Sequence, residues 1–137
     1  MPVSHFPISV ETAGRGLYEV SDKVAQAVAS TGVEEGLATV FCRHTSCSLV
    51  IMENADPSAV SDLEKFFDEI VPDGTGWDHT AEGPDDMSSH IKMALTRTSE
   101  SIPISRGRLG LGTWQGIFLW EHRSRPHRRS LTVSVTS

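Results

Sequence analysis

Four consecutive apolar residues, Leu49 to Met52, are the feature that most constrains how this chain can fold. An unbroken apolar run of strand-forming residues is typical of a β-strand that is covered on both faces. Polar residues that could carry out chemistry stand on either side of this run, with His44 before it and Glu53 and Asp62 after it. The sequence therefore predicts a functional site beside this strand.

The segments around this strand predict an α+β fold. Further strands are predicted at residues 5–12, 36–42, 101–105, 116–121 and 130–136, from alternating or β-branched residues. Helices are predicted from the N-cap Ser21 to Gly32, from the N-cap Asp56 to a residue before Pro72, and over about residues 89–98, with Asp86 or Ser88 as the N-cap. This order predicts a mainly antiparallel sheet with about three helices.

Length and composition place further limits on the molecule. A chain of 137 residues fits one domain, here residues 1–137. The net charge of -6 argues against a general nucleic-acid binder. The beginning of the chain has no signal-peptide pattern, and no apolar run is long enough to span a bilayer, so no membrane partner and a cytoplasmic location are expected.

The charges are unevenly distributed along the chain. The segment from Glu53 to Asp86 is strongly acidic, with Lys65 as its one base, and the chain from Arg97 onward is rich in arginine. An acidic middle could hold a divalent cation, and a basic C-terminal part could receive a phosphorylated small molecule. The alternative is that both regions are solvated faces.

Three of the histidines, His44, His79 and His90, each stand beside a turn or a helix start and near acids. Three neutral imidazoles from separate segments can hold a metal ion and leave a fourth position for water or substrate. Taken alone, each of them is more often a hydrogen-bonded structural residue, and their spacing matches no local zinc motif. Solvated surface positions are expected for the other three, His5, His122 and His127.

Four further residues near the apolar strand could carry chemistry or could be structural. Cys42 and Cys47 are expected in the core, because cysteine is among the most buried residue types and C-x4-C is not a zinc-ribbon spacing. Glu53 is either a general acid/base or part of the cap of the following helix. Asp62 lies on the acidic helix, where a solvated position is the simpler reading.

The segment from Ser105 to Gln115 (SRGRLGLGTWQ) offers hydroxyl groups, arginines and backbone amides, which are the ingredients of a phosphate-binding turn. Its glycine spacing matches neither a P-loop nor a dinucleotide-binding fingerprint. Trp114 is expected to fill the core. Arg128 and Arg129 either bind an anion or protect an edge strand from pairing.

Three long motifs together resemble the YjbQ family, also called the UPF0047 or secondary thiamine-phosphate synthase family. They are RHTSCSLVIMEN, DHTAEGPDDMSSHIKMAL and IPISRGRLGLGTWQGIFLWEHRSRPHRR. The resemblance implies a homotrimer with sheets packed around a threefold axis, a weak thiamine-phosphate synthase activity, and a divalent metal, zinc or magnesium, in a cleft lined by the shared histidines.

Transferred by position, the family's histidines are His44, His79 and His90, and its acids are Glu53 and Asp62. Its G-T-W-Q motif is Gly112 to Gln115. The chain departs from many members at Cys47 and at Met87 to Ser89, and the second departure leaves His90 in place.

Three functions follow from these residues and this resemblance. The first is a transferase that joins a hydroxymethylpyrimidine diphosphate to a thiazole phosphate, with metal assistance. In it the three histidines hold the metal, Glu53 and Asp62 do acid/base or orienting work, and a third group contacts the substrate. That group comprises Thr45, Ser105, Arg106, Gly112, Thr113 and Gln115. The second function is a metal-dependent phosphoester hydrolase, and the third is a non-enzymatic trimer that binds a metal or small ligand.

Overall fold

The computed structural model describes residues 2–74 and 76–137. The sequence also predicts a long loop from Pro72 to Met87, and one of its residues, Thr75, lies outside the described residues. The strands are β1 (Val3–Thr12), β2 (Gly16–Glu19), β3 (Gly36–Cys42), β4 (Cys47–Glu53), β5 (Ser99–Ser105), β6 (Arg108–Leu109), β7 (Gln115–Glu121) and β8 (His127–Thr136). The helices are α1 (Ser21–Thr31), α2 (Pro57–Ile70) and α3 (Asp86–Leu95).

The strands form two antiparallel sheets. A five-stranded sheet has the order β1-β8-β3-β5-β6, and a three-stranded sheet has the order β2-β7-β4. The predicted α+β class and the mainly antiparallel pairing are confirmed. Over the described residues, no helix combines the length and the apolarity that crossing a bilayer requires.

The hydrophobic core contains residues from both sheets and from α1. Leu131, Val133 and Val135 alternate inward along β8, while Leu49 of β4 and Leu119 of β7 are fully buried opposite each other. The apolar run that predicted β4 is therefore a strand. The first three residues of β4, Cys47 to Leu49, are buried. The rest of the strand is half-buried, because β4 is an edge strand of the smaller sheet.

The helix ends follow from local chemistry. α1 ends at Gly32, whose φ of 71° is the left-handed conformation that glycine adopts most easily. α2 begins after Asp56, whose side chain accepts a hydrogen bond from the Ser58 amide. Ser21 was expected to cap α1, but the N-cap is Val20 and Ser21 is the first helical residue.

Two further sequence expectations are corrected by the fold. β8 lies between β1 and β3, so Arg128 and Arg129 do not protect an edge strand. Trp114 was expected in the core, but it is 63% exposed, because it lies in the turn before β7.

A fourth correction concerns α3, which begins at Asp86, three residues before its predicted start. The signal that misled the prediction is the Gly and Pro content of the preceding segment. The earlier start decides the geometry of the candidate site.

Candidate metal centre

Helix α3 places Asp86 and His90 on one face. Because the helix begins at Asp86, His90 lies four residues further along, so that the two side chains are neighbours on the helix surface. The Nε2 atom of His90 lies 3.1 Å from Oδ2 of Asp86. An acidic and a basic ligand therefore meet at the beginning of α3.

His79 joins this pair from the loop before α3. Its Nε2 atom lies 2.8 Å from the same Asp86 oxygen, and its ring centroid is 5.4 Å from that of His90. One ligand atom from each of the three residues lies within 4.8 Å of the others. We call His79, Asp86 and His90 the His-Asp-His cluster.

Asp86 is held as a carboxylate by its surroundings. Its side chain is 6% exposed, and Nη1 of Arg123 donates to Oδ1 at 2.9 Å. Burial alone would raise the pKa of Asp86, but the hydrogen bond from His79 and the positive charge of Arg123 oppose burial, and this pKa lies below its ordinary value. The cluster therefore contains an anionic oxygen ligand at neutral pH.

The Nδ1 atom of His90 is held by a backbone contact. Nδ1 lies 2.6 Å from the backbone carbonyl oxygen of Thr45. Because a carbonyl oxygen can only accept, Nδ1 must carry a hydrogen. In a neutral imidazole, Nε2 then presents a lone pair toward Asp86. This arrangement, with Nδ1–H bound to a carbonyl and Nε2 directed into the cluster, is the usual one for a metal-ligating histidine.

His44 lies outside the His-Asp-His cluster. Its Nε2 atom accepts a hydrogen bond of 2.8 Å from the Ser130 amide. Burial and the positive charge of Arg129 lower the pKa of His44, which favours the neutral ring. The expected set of three histidines is not the set whose ligand atoms meet in this structure, and Asp86 takes the third place.

A buried ion pair, Glu121 with Arg129, contacts the segment before β4. Glu121 at the end of β7 is fully buried, and Arg129 on β8 is 5% exposed. Nε of Arg129 donates to Oε1 of Glu121 at 2.8 Å, and a second guanidinium nitrogen bonds Oε2. The guanidinium also donates to Oγ of Ser46 at 2.9 Å. This pair therefore contacts the segment that contains His44 and Thr45.

His122 is buried next to this pair. It was expected at the surface, but it is fully buried, with Nε2 2.8 Å from Oγ of Ser48. Burial, together with the positive charges of Lys92, Arg15 and Arg129, lowers the pKa of His122 to about 3. His122 is therefore a neutral interior residue.

Several residues predicted to contact substrate lie at the opposite end of the smaller sheet. Glu53 pairs with Gln115, whereas Cys47, two residues after the Thr45 carbonyl that His90 contacts, pairs with Glu121. The six-residue separation along β4 corresponds to roughly 20 Å at about 3.3 Å per residue. The Gly112 amide donates to Oε1 of Gln115 at 2.8 Å, and this turn also contains the exposed Thr113.

Ser105 is the last residue of β5, and Arg106 lies in the turn between β5 and β6. The Arg106 amide donates to Oε1 of Glu35 at 3.3 Å, and this turn is at the end of the larger sheet where Gly36 pairs with Ile104. His44 follows the other end of β3. These two predicted phosphate contacts are therefore also far from His44 within one chain.

The two predicted catalytic acids occupy different environments. Oε2 of Glu53 accepts hydrogen bonds from the amides of Ala55 and Asp56, at 3.1 and 2.9 Å. Glu53 thus has the local role, at the start of α2, that was its alternative reading. Asp62 is exposed on α2.

Comparison with known proteins places the chain in a family. A family model described as UPF0047 protein YjbQ-like matches residues 7–137. The chain belongs to the UPF0047 family of YjbQ-like proteins. A UPF0047 protein of Synechocystis sp. is 56% identical over 128 residues, which cover 93% of this chain and 87% of the relative. The YjbQ protein of Escherichia coli O157:H7 is 42% identical over 129 residues, covering 93% and 94%.

Solved structures of the family share this fold. A YjbQ/UPF0047-family protein from Clostridium acetobutylicum is 35% identical and superposes with a TM-score of 0.90, over 96% of this chain and 99% of that one.

Sequence reasoning did not place Asp86 in the cluster of this YjbQ-like chain, and it missed the contacts by which Arg123, Glu121 and Arg129 connect to Asp86 and His90. The spacing of Asp86 and His90 is a detectable signal once the helix start is known, because residues four apart share a helix face. The contacts of Glu121 and Arg129 join distant segments, and no local pattern reveals them.

Proposed function

We propose that this protein is a metal-dependent enzyme, in which His79, Asp86 and His90 hold a divalent cation that acts on a small phosphorylated molecule. The observation that carries the proposal is the contact between Nδ1 of His90 and the Thr45 carbonyl oxygen. It leaves Nε2 of a neutral His90 with a lone pair facing the Asp86 carboxylate, and a cation between them would satisfy both.

The donor set supports zinc more than magnesium. Two imidazole nitrogens and one carboxylate oxygen suit Zn²⁺ and similar transition metals, whereas Mg²⁺ prefers oxygen ligands alone. A cation bound there would supply Lewis acidity to a phosphoryl oxygen. The side chain of His79 is 50% exposed, so a ligand could reach this side of the cluster from solvent.

The chain's own groups would orient such a site. Arg123 fixes Asp86 through Oδ1 and leaves Oδ2 directed toward both histidines. The Thr45 carbonyl fixes the ring of His90. Both ligands are therefore held in position before any cation arrives, which lowers the cost of ordering them on binding.

The specific reaction that family resemblance suggests is transfer of a pyrimidine methylene group from its diphosphate to a thiazole phosphate, which releases pyrophosphate. Within one chain the cluster is too far from the turn from Gly112 to Gln115 for both to contact one substrate, because they are at opposite ends of β4 and β7. A site that uses both needs a second copy of the chain. The homotrimer expected from the family would supply it.

Hydrolysis of a phosphoester is the second candidate, and a specific observation favours it. The His-Asp-His cluster is complete within one chain and has an exposed side, so it needs no contribution from the distant turns. A non-enzymatic trimer that binds a metal is the remaining alternative.

Metal binding can be measured first. Wild-type protein, stripped by chelator and titrated with Zn²⁺ or Mg²⁺, should bind one Zn²⁺ per chain and gain about 2.7 kcal/mol of stability at a hundredfold excess over Kd. His90→Ala should lose both effects. His5→Ala is the matched control, because His5 is an exposed histidine that bonds only Ser134 among the described residues. Equal zinc binding by wild type and His90→Ala would reject the cluster.

The reaction can be separated by substrate. With the pyrimidine diphosphate and the thiazole phosphate together, pyrophosphate release above the His90→Ala background supports transfer. Release of phosphate from a simple phosphoester without a thiazole acceptor supports hydrolysis. Zinc binding without either product leaves the metal-binding trimer.

A mixing experiment tests the shared site. His90→Ala and Gln115→Ala chains should each be inactive, and co-assembly of the two should restore part of the activity if one copy supplies the cluster and another supplies the turn. Activity of Gln115→Ala alone at the wild-type level would exclude the turn from the site.

A further inference from the structure

The Glu121–Arg129 pair is buried more deeply than the two histidines of the cluster. Besides Arg129, Oε1 of Glu121 accepts a hydrogen bond of 2.7 Å from the hydroxyl of Thr12. A buried ion pair is often no more stabilising than apolar residues of the same volume, because both charges lose their hydration. The other hydrogen bonds of this pair are therefore informative about its role.

Arg129 is connected to His90 through residues 45 and 46. Its Nη2 atom donates to the Ser46 hydroxyl at 2.9 Å and lies 3.4 Å from the Ser46 carbonyl oxygen. The residue before Ser46 is Thr45, whose carbonyl accepts from Nδ1 of His90. This first path runs from the buried guanidinium, through one segment of two residues, to a cluster histidine.

Glu121 is connected to Asp86 through Arg123. Its Oε2 atom accepts a hydrogen bond of 3.2 Å from the Arg123 amide. The Arg123 guanidinium then donates to Oδ1 of Asp86 at 2.9 Å, and its Nε atom donates to Asp85 at 3.1 Å. This second path runs from the same ion pair to the cluster carboxylate.

We propose that Glu121 and Arg129 are positioning residues that set the placement of both Asp86 and His90. Neither touches the place where a cation would lie. Each acts through an intermediate backbone segment, 45–46 in one path and 123 in the other. The expected effect on metal affinity rests on the proposed function, whereas the effect on the orientation of His90 does not require a metal.

Arg129→Lys keeps the positive charge beside Glu121 but removes the branched group that reaches Ser46. Loss of a partner that orients a ligand typically lowers metal affinity by about 10-fold to 100-fold, and we expect a reduction in that range for Zn²⁺. Ser46→Ala removes one hydrogen bond and keeps the ion pair, so about a threefold to tenfold reduction is expected. Arg128→Lys is the matched control, because the neighbouring Arg128 is 75% exposed and bonds Ser9 and Glu11.

Two measurements on folded variants decide the proposal. Zinc affinity is measured by competition with a chelating dye, and the ¹⁵N shifts of the His90 imidazole are measured at one pH in metal-free protein. In wild type and Arg128→Lys these shifts should report hydrogen on Nδ1, and in Arg129→Lys and Ser46→Ala they should move toward a mixture of tautomers. Unchanged His90 shifts in folded Ser46→Ala and Arg129→Lys would overturn the proposal.

The outcomes also separate this proposal from the proposed function. If wild-type protein binds no zinc, the metal proposal fails and the imidazole shifts still test positioning. If Arg129→Lys does not fold, Ser46→Ala alone decides, because it leaves both charges of the buried pair in place.

Discussion

The Sγ atoms of Cys42 and Cys47 lie 3.4 Å apart in the core, on strands of different sheets. This distance is a non-bonded contact, since a disulfide requires about 2.05 Å. Both residues are at most 1% exposed, as expected from the sequence. The hydrogen bond with Cys42 and burial both raise the pKa of the Cys47 thiol. The pair is therefore structural in this fold.

Thiol reagents should confirm this. The thiolate is the reactive form, and it needs access to solvent, so the native protein should show almost no labelling by an aromatic disulfide reagent over minutes. In denaturant both cysteines should react. A Ser4→Cys variant, which adds an exposed thiol on β1, should gain one rapidly labelled group in the native state. Fast labelling of native wild type would show that the β3–β4 interior opens readily.

The stability of the protein should depend on pH through His122. Its pKa is lowered from the ordinary 6.5 to about 3 in the folded state. Between these pH values the unfolded chain binds a proton that the folded chain does not. The stabilising contribution is therefore complete above pH 6.5 and is lost as pH falls toward 3, at up to about 1.4 kcal/mol per pH unit.

This dependence can be isolated by substitution. Urea unfolding of wild type and of His122→Asn at pH 7, 6 and 5 should show a difference in unfolding free energy that shrinks with acidification, because only wild type gains a proton at this position on unfolding. His5→Asn, which changes an exposed histidine, should retain the wild-type slope. Parallel curves for wild type and His122→Asn would contradict the lowered pKa.

Features of the fold that depend on local sequence patterns were predicted well, and those that depend on contacts between distant segments were not. β3 was predicted with its exact bounds, and the other predicted strands to within a few residues, because alternation and β-branched residues are local signals. The short β2 and β6 were missed because four and two residues carry too little pattern. Trp114 is exposed and His122 is buried, the reverse of what was expected, since burial depends on which distant strand or turn covers a residue.

The candidate site was predicted only in part. His79 and His90 were singled out from their surroundings, and they do meet. The third member, Asp86, was assigned to a possible helix cap, because one error in the start of α3 hides its spacing from His90. The contacts of Glu121 and Arg129 could not be predicted from local sequence, since their partners Ser46 and Thr12 are brought near only by the pairing of β7 and β8 with other strands.

Gly36 is a position where the fold requires the absence of a side chain. A Cβ atom there would lie 2.0 Å from the backbone oxygen of Thr136 on β8. Gly36→Ala should therefore lower the free energy of unfolding by more than about 2 kcal/mol, because two paired strands must separate. Gly32→Ala is the comparison: its Cβ meets nothing within 4 Å, and only the positive φ is unfavourable, at about 1 kcal/mol. Equal losses in urea unfolding would contradict the clash.

The pair of Lys92 and Asp68 links α3 to α2. The Lys92 side chain is 3% exposed, and its Nζ atom lies 2.6 Å from Oδ1 of Asp68, which is 49% exposed. Removal of the acid leaves a buried ammonium without its partner, whereas removal of the ammonium leaves a carboxylate that water can reach. Asp68→Ala should therefore cost more than Lys92→Met, about 1–3 kcal/mol against less than about 1 kcal/mol after allowance for solvent screening.

The double variant and a control complete this test. Lys92→Met combined with Asp68→Ala should be more stable in urea than Asp68→Ala alone, because no buried charge remains unpaired. Asp62→Ala changes another acid of α2 that is exposed, and it should stay within about 0.5 kcal/mol of wild type. A loss of activity in Asp62→Ala at unchanged stability would support its predicted catalytic role. A double variant less stable than Asp68→Ala would instead show that the aliphatic stem and amine of Lys92 stabilise α3 independently of Asp68.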